Sequence, residues 1–145
     1  MNTPESVDIR KLLLWTIIAA VIATVVNVII YTLFESEFEG VTVDMGSAND
    51  PRSFVVGNVI FLSVVLILLS GAVLAVINRL SSRPLMIWRI LAIIFLLFSY
   101  TWPFLGLEAV STTPKIVLLV LHTIAGTTTI YLLTTRTRQT AQQNR

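Results

Sequence analysis

Four long apolar stretches divide the chain, and most of its charged residues lie between or outside them. The stretches cover residues 12–34, 54–77, 85–104 and 116–133. Each has about 18–24 residues, and about 20 helical residues cross a ~30 Å hydrocarbon core. Polar and apolar residues do not alternate as in a membrane barrel, so the backbone must satisfy its hydrogen bonds within helices. The pattern predicts an all-α fold: an integral membrane four-helix transmembrane bundle that forms a single domain over residues 1–145.

The segments outside these spans are short and polar. Residues 35–53 form a loop rich in Asp and Glu, and residues 134–145 form a polar tail that we expect to be frayed. The first apolar stretch exceeds the 7–15 residues of a secretory signal, so we interpret it as an uncleaved membrane anchor.

Composition agrees with a membrane location. Only 12% of residues are charged, against about a quarter in globular domains. The absence of cysteine excludes disulfides and thiolate-ligated metals. Basic residues flank the spans instead of forming a patch, so we expect the lipid bilayer as partner and no nucleic acid.

The basic residues are distributed unequally between the two sides of the predicted bundle. One side carries Arg10, Lys11, Arg79, Arg83, Arg89, Arg136, Arg138 and Arg145. The other side carries only Arg52 and Lys115. Because cytoplasmic segments are enriched in Lys and Arg, both termini are predicted to be cytoplasmic and the acidic loop to lie outside.

Polar side chains within the spans are expected at one depth. With a rise of 1.5 Å per residue, Asn27 and His122 lie about 10 Å inside the outer edge and Asn58 about 6 Å inside it. Ser99 and Tyr100 lie near the outer end of the third span. These five residues are the candidate ligand-binding residues, in the outer half of the membrane.

This polar layer has three possible roles. Its members could bond one another between helices and so hold the bundle together. They could instead line a pocket for a small lipophilic ligand, with His122 as its hydrogen-bonding group, because ionisable residues within membranes often mark functional sites. In the third interpretation His122, the only histidine, binds haem or chlorophyll as an axial ligand.

The residues that acid–base catalysis and metal binding require are absent from the spans. The spans contain no carboxylate pair for acid–base catalysis. One histidine without cysteines or carboxylates in the spans supplies fewer than three metal ligands. We therefore predict no catalytic residues, no metal site and no enzymatic activity.

Three segments resemble a known family. These are "NVIIY" in the first span, "INRLSSRPLMIWRILAIIFLLFSYTWPF" across the third and "VLLVLHTIAG" in the fourth. They resemble the bacterial four-helix membrane proteins grouped as domain of unknown function 6069. The resemblance implies that Asn27, Ser99, Pro103 and His122 occupy the family's recurring positions. It also implies a four-helix fold in the bacterial inner membrane, and it implies no activity.

The sequence thus favours a non-enzymatic membrane protein. We expect an accessory or structural subunit of a membrane complex, or a small self-associating bundle. The alternatives are a binder or carrier of a small lipophilic ligand and a pigment- or haem-binding subunit.

Overall fold

A computed structural model describes residues 6–43, 52–105 and 111–139, and most of these residues are helical. The helices are α1 (Ile9–Leu33), α2 (Val56–Leu80), α3 (Pro84–Ser99), the one-turn α4 (Trp102–Leu105) and α5 (Thr112–Arg136). Three of them, and α3 taken together with α4, are long and apolar enough to cross a membrane. The predicted all-α architecture with four span-length helices is therefore confirmed.

Local chemistry explains several helix ends. The Asp8 carboxylate accepts two backbone N–H groups of the first turn of α1, at 2.9 and 3.2 Å, as an N-cap residue does. Pro84 is the first residue of α3, where its missing N–H costs nothing. Pro103 cannot donate to the carbonyl of Ser99, four residues earlier, so α3 ends at Ser99 and α4 follows as a separate turn. This break divides the third predicted span.

Helix α1 is the centre of the bundle and packs along α2 and α5. Its buried residues are mostly small and follow a helical spacing: Leu12, Thr16, Ala19, Ala20, Ala23, Asn27 and Tyr31. Small side chains allow membrane helices to approach closely. The α3–α4 segment is the least buried of the four. In its most apolar stretch 11% of the residues are buried, compared with 22% to 28% in the other three helices.

The bundle has two ends, each with its own apolar cluster. At the termini end, where α1 and α3 begin and α2 and α5 finish, the core includes Leu12, Leu74, Leu85, Trp88 and Leu133. At the opposite end, called the loop end, the core consists of Tyr31, Phe38, Val41, Phe54, Val59, Val117, Leu118 and Leu121. The polar residues Asn27 and Ser63 are buried between the two clusters.

The two chain ends pair with each other. Val7 and Arg138 form an antiparallel bridge, and the Asp8 N–H donates to the Thr137 carbonyl at 3.0 Å. The side-chain amide of Asn78 also accepts the Val7 N–H and donates to the Val7 carbonyl. The start of the polar tail is therefore ordered, unlike the fraying expected from its composition, because the pairing satisfies its backbone groups. Both described ends lie on one side of the bundle.

The acidic loop is described in part, since residues 44–51 lie outside the described residues. A 3₁₀ helix covers Glu35–Phe38, and the two-residue strands β1 (Thr42–Val43) and β2 (Arg52–Ser53) pair antiparallel. Between the 3₁₀ helix and β1, Gly40 has φ 78°, a left-handed conformation that glycine adopts without strain. The turn brings Phe38 beneath the loop into the apolar core.

Candidate functional site

Asn27 and Ser63 form a buried polar pair between α1 and α2. Asn27 is only 3% exposed, and its Nδ2 donates to Ser63 Oγ at 3.1 Å. Among the described residues, no donor pairs with Asn27 Oδ1, although this oxygen is buried. A buried acceptor without a donor costs about 1–3 kcal/mol. An exception of this kind in a folded core requires an explanation, such as a binding role.

His122 lies on α5 and is partly buried. Its Nδ1 lies 2.6 Å from the backbone carbonyl oxygen of Leu118, one turn earlier. A carbonyl oxygen can only accept, so Nδ1 carries the hydrogen. In the neutral ring, Nε2 is then an acceptor, because the two imidazole nitrogens have opposite roles. No hydrogen bond to Nε2 occurs within the described part of the chain.

A cavity of about 90 Å³ brings these groups together. Its walls come from α1, α2, α5 and the residue after β2: Asn27, Phe54, Val59, Leu62, Ser63, Leu66, Ile67, Leu118, Leu121, His122 and Ala125. Asn27, which is buried, is the only α1 residue of this lining. Leu62 and Leu66 on α2 are exposed, so the cavity opens sideways between α2 and α5. In a bilayer this opening would face lipid.

An aromatic cluster closes the cavity towards the loop end. The ring centroids of Tyr31, Phe38 and Phe54 lie 5.0 to 5.8 Å apart. The Tyr31 hydroxyl donates to the Phe54 carbonyl oxygen at 3.0 Å, and the Phe54 side chain lines the cavity. The cluster therefore separates the polar layer from the acidic loop above it.

The structure brings together two of the five predicted site residues, Asn27 and His122. Asn58 accepts the Val55 N–H with its side-chain oxygen at 2.9 Å and caps α2. Ser99 donates to the Leu96 carbonyl of its own helix at 2.7 Å. The Tyr100 hydroxyl lies 2.8 Å from Thr123 Oγ1 and joins α3 to α5. None of these three lines the cavity.

Ser63 is the polar residue of this cavity that the sequence analysis does not include. A signal was available, because the buried residues of α2 follow a helical stripe that contains small side chains: Val59, Ser63, Ile67, Gly71 and Leu74. The same kind of stripe on α1 contains Asn27. Two facing stripes of small residues indicate a close helix contact, which would have placed Ser63 opposite α1.

The cavity is suited to recognition by hydrogen bonding. Asn27, Ser63 and His122 are the polar residues of its otherwise apolar lining. No charged residue lines it within the described ranges. The described part of the chain also holds no group of three side chains suited to bind a metal ion. The arrangement can bind and orient a small polar group that an apolar wall shields from water.

Fold and site together define a helical bundle of four span-length segments with a small lateral cavity. The chain belongs to the family of unknown function DUF6069, whose model matches residues 7–139. The family resemblance inferred from the sequence is thereby confirmed. No curated protein and no solved structure matches the chain.

Proposed function

We propose that the chain is a multi-pass protein of the bacterial inner membrane with both ends in the cytoplasm. Large apolar side chains are exposed along all four span-length segments, which suits contact with lipid. Of the nine Lys and Arg residues in the described ranges, only Arg52 and Lys115 belong to the loop end. The excess at the termini end supports a cytoplasmic location for that end.

This orientation can be tested by labelling cysteines that are introduced one at a time. The chain has no cysteine of its own, so the labelling has no background. Ser82 and Ser111 are both exposed and lie at opposite ends of the bundle. In intact cells, a membrane-impermeant maleimide should label Ser111→Cys, whereas Ser82→Cys should react only after permeabilisation. The reverse pattern would contradict the proposed orientation.

Within that membrane, the chain is proposed to bind a small amphiphilic molecule without chemical conversion. The observation that carries this function is the cavity that Asn27, Ser63 and His122 share with apolar residues of α2 and α5. The lateral opening gives a molecule dissolved in the bilayer direct access.

A cavity-filling variant tests the binding function. In Ala125→Leu, the larger side chain occupies the cavity, whereas Ala72→Leu adds the same atoms at an exposed position of α2 outside it. Both variants would be placed in phosphatidylcholine nanodiscs and exposed to a photoactivatable dodecanol that carries a diazirine. Saturable crosslinking to α1, α2 or α5 should be lost in Ala125→Leu and kept in Ala72→Leu. Equal crosslinking of the two variants would contradict the proposal.

A second candidate function is the accessory subunit or self-associating bundle. The sparse burial of α3 favours it, since this helix leaves a broad apolar face outside the bundle. Native mass spectrometry in mild detergent tests it through the mass of the intact assembly. A monomer without partner subunits across a range of detergents would contradict this function.

The pigment-binding alternative receives less support. A cavity of about 90 Å³ is smaller than the engineered 150 Å³ cavity that accommodates benzene, and a tetrapyrrole is much larger than benzene. We expect purified protein to show no absorbance band above the aromatic region. A visible band lost in His122→Leu would instead establish a pigment site.

A further inference from the structure

Arg89 is the charged residue that lies inside one of the four apolar stretches. It comes four residues after Leu85, where the third stretch begins, and is therefore about 6 Å inside that stretch. Arg89 is exposed on the outside of the bundle, and an arginine side chain keeps its proton in proteins. In a bilayer this charge would face lipid, where a charged side chain is costly unless it is paired or reaches the interface.

No protein group within the described ranges neutralises Arg89. Its guanidinium makes no hydrogen bond, ion pair or ring contact with another described residue. Asp8 is the one carboxylate described at the termini end, and it caps α1. The same end carries seven described basic residues: Arg10, Lys11, Arg79, Arg83, Arg89, Arg136 and Arg138. The negative charge that balances Arg89 must therefore come from outside the described part of the chain.

The direction of α3 aims this side chain at the membrane surface. Side chains of an α-helix tilt towards its N-terminus, and α3 begins at the termini end. The guanidinium of Arg89 can therefore extend along apolar surface to the interface, as long basic side chains do in membranes. Lipid phosphates lie at this interface, and a guanidinium binds a phosphate through two parallel N–H donors.

An apolar surface continues from Arg89 towards the centre of the bundle. Ile93 and Leu97 follow at four-residue spacings, so they lie on the same face of α3. They are 44% and 59% exposed. Next to this face α3 packs tightly on α5, because a Cβ on Gly126 would clash with the side chain of Leu96. An acyl chain attached to a phosphate at Arg89 can therefore lie along the outer side of this helix contact.

The charge of the termini end selects among phospholipids. The head groups of phosphatidylcholine and phosphatidylethanolamine carry a cation beside the phosphate, so these lipids add no net negative charge. Basic residues near the membrane surface attract lipids with a net negative charge. With seven basic residues and one carboxylate described at this end, a phosphate without an accompanying amine is the better partner.

We propose that the termini end of α3 binds an anionic phospholipid of the phosphatidylglycerol class. The lipid phosphate pairs with the Arg89 guanidinium, and one acyl chain lies along Ile93 and Leu97. This inference rests on the proposed membrane location and does not depend on the cavity between α2 and α5. In the proposed orientation the lipid belongs to the cytoplasmic leaflet.

Native mass spectrometry of the detergent-purified, unaltered protein tests the choice of head group. Dioleoyl phosphatidylglycerol and dioleoyl phosphatidylcholine have identical acyl chains, and the mass of each complex identifies the bound lipid. Phosphatidylglycerol should bind with a Kd about fivefold lower, the factor expected for one basic residue that attracts an anionic lipid. Glycerophosphoglycerol, the same head group without acyl chains, should form no complex at the same concentrations.

Two matched variants assign the effect to its residue. Arg89→Gln and Arg10→Gln each remove one positive charge from an exposed position at the same end, but Arg10 precedes the first apolar stretch. Arg89→Gln should weaken phosphatidylglycerol binding about fivefold and bring it close to phosphatidylcholine binding. Arg10→Gln should weaken it less than about twofold, because its charge is hydrated and screened by salt.

The contradicting outcomes are distinct from those of the proposed membrane location. Equal binding of the two lipids, or binding of glycerophosphoglycerol as tight as that of the lipid, would overturn the inference. Equal losses in the two glutamine variants would show a diffuse attraction and overturn the assignment to Arg89. Labelling of Ser82→Cys in intact cells would instead reverse the orientation, and with it the leaflet, without affecting the lipid contact.

Discussion

The termini end and the loop end of the bundle are built differently. At the termini end all four long helices contribute to one core, in which Leu74, Leu85, Trp88 and Leu133 are almost fully buried. At the loop end the buried core comes from α1, α2, α5 and the loop. The α3 helix buries only Pro84, Leu85 and Trp88, all in its first half. The difference indicates that the termini end holds the helices together, which leaves room at the other end for a cavity with an unpaired polar atom.

The strongest test of this difference is the removal of Trp88. Its ring is 1% exposed, and its Nε1 donates to the Ser70 carbonyl at 3.2 Å, which attaches α3 to α2. We expect Trp88→Ala to lower the free energy of unfolding by about 2–3 kcal/mol, somewhat less than the 3–5 seen for aromatic truncation in water-soluble cores. The expected cost is smaller because Trp88 contacts lipid when the bundle is unfolded, and lipid, unlike water, solvates an apolar ring well.

The control is an aromatic residue at the other half of α3. Phe98 is 71% exposed, so Phe98→Ala should change stability by less than about 0.5 kcal/mol, as for other surface substitutions. Unfolding in mixed micelles of increasing dodecyl sulfate content, followed by circular dichroism, gives both values. Equal losses in the two variants would show that α3 is not anchored by its first half.

Replacement of single glycines by alanine tests how closely the helices pack at individual contacts. A Cβ on Gly71 would lie 2.5 Å from Thr16 Oγ1 and 3.1 Å from Thr16 Cβ, and Thr16 is held by its bond to the Leu12 carbonyl. We expect Gly71→Ala to cost about 1–3 kcal/mol through overpacking. A Cβ on Gly126 would meet the methyl groups of Leu96, which can rotate away, so Gly126→Ala should cost less.

Gly57 at the loop end is the matched control for this series. A Cβ there would have only one neighbour within 4 Å, a Val55 methyl carbon at 3.9 Å. Gly57→Ala should therefore be neutral or stabilise by up to about 1 kcal/mol, the difference in helix propensity. The same unfolding titration measures all three variants. A larger loss of unfolding free energy for Gly57→Ala than for Gly71→Ala would contradict the proposed roles of the two ends.

Tyr31→Phe measures the aromatic cluster of the loop end. The substitution keeps the ring and removes the bond to the Phe54 carbonyl. The expected loss of stability is about 1 kcal/mol, the usual net value of one hydrogen bond. The variant should crosslink the photoactivatable dodecanol at the same site as the unaltered protein. A loss above about 3 kcal/mol would show that the loop end, and not the termini end, dominates stability, since it exceeds what one neutral hydrogen bond supplies.

Asn27→Leu tests the buried polar pair between α1 and α2. It removes the Ser63 bond, worth about 0.6 kcal/mol on average between membrane helices, and also removes an acceptor that has no donor. The unpaired acceptor costs about 1–3 kcal/mol, which is more than the bond supplies, so the variant should be more stable by about 0.5–2 kcal/mol. Destabilisation by more than about 2 kcal/mol would favour Asn27 as a packing residue over a ligand-binding one.

Hydrophobic patterning was sufficient to predict the four span-length segments, because length and composition decide whether a helix can cross a bilayer. Their ends were less predictable. Pro103 interrupts the third segment, and pairing between Val7 and Arg138 orders the start of the polar tail. Both effects depend on hydrogen bonds between particular backbone groups, which hydropathy does not measure.

The candidate site was predictable only in part. Depth along a helix follows from residue counting, and it placed Asn27 and His122 at similar levels. Rotation about the helix axis decides which neighbours a side chain contacts. Ser99 bonds within its own helix, and Asn58 caps α2, although both lie at suitable depths. The small-residue stripes carried this rotational information for Asn27, and the corresponding stripe on α2 would have added Ser63.

The most direct test of the account is a spectrum of the imidazole itself. Because His122 is the only histidine, labelling histidine rings with ¹⁵N gives the nitrogen signals of one residue in nanodiscs. We predict a ring that carries a hydrogen on Nδ1, as the bond to the Leu118 carbonyl requires. Addition of dodecanol should shift the ¹⁵N resonances of this ring, because the ligand occupies the cavity that His122 lines. A ring without a hydrogen on Nδ1, or resonances that do not change at saturating dodecanol, would contradict the account.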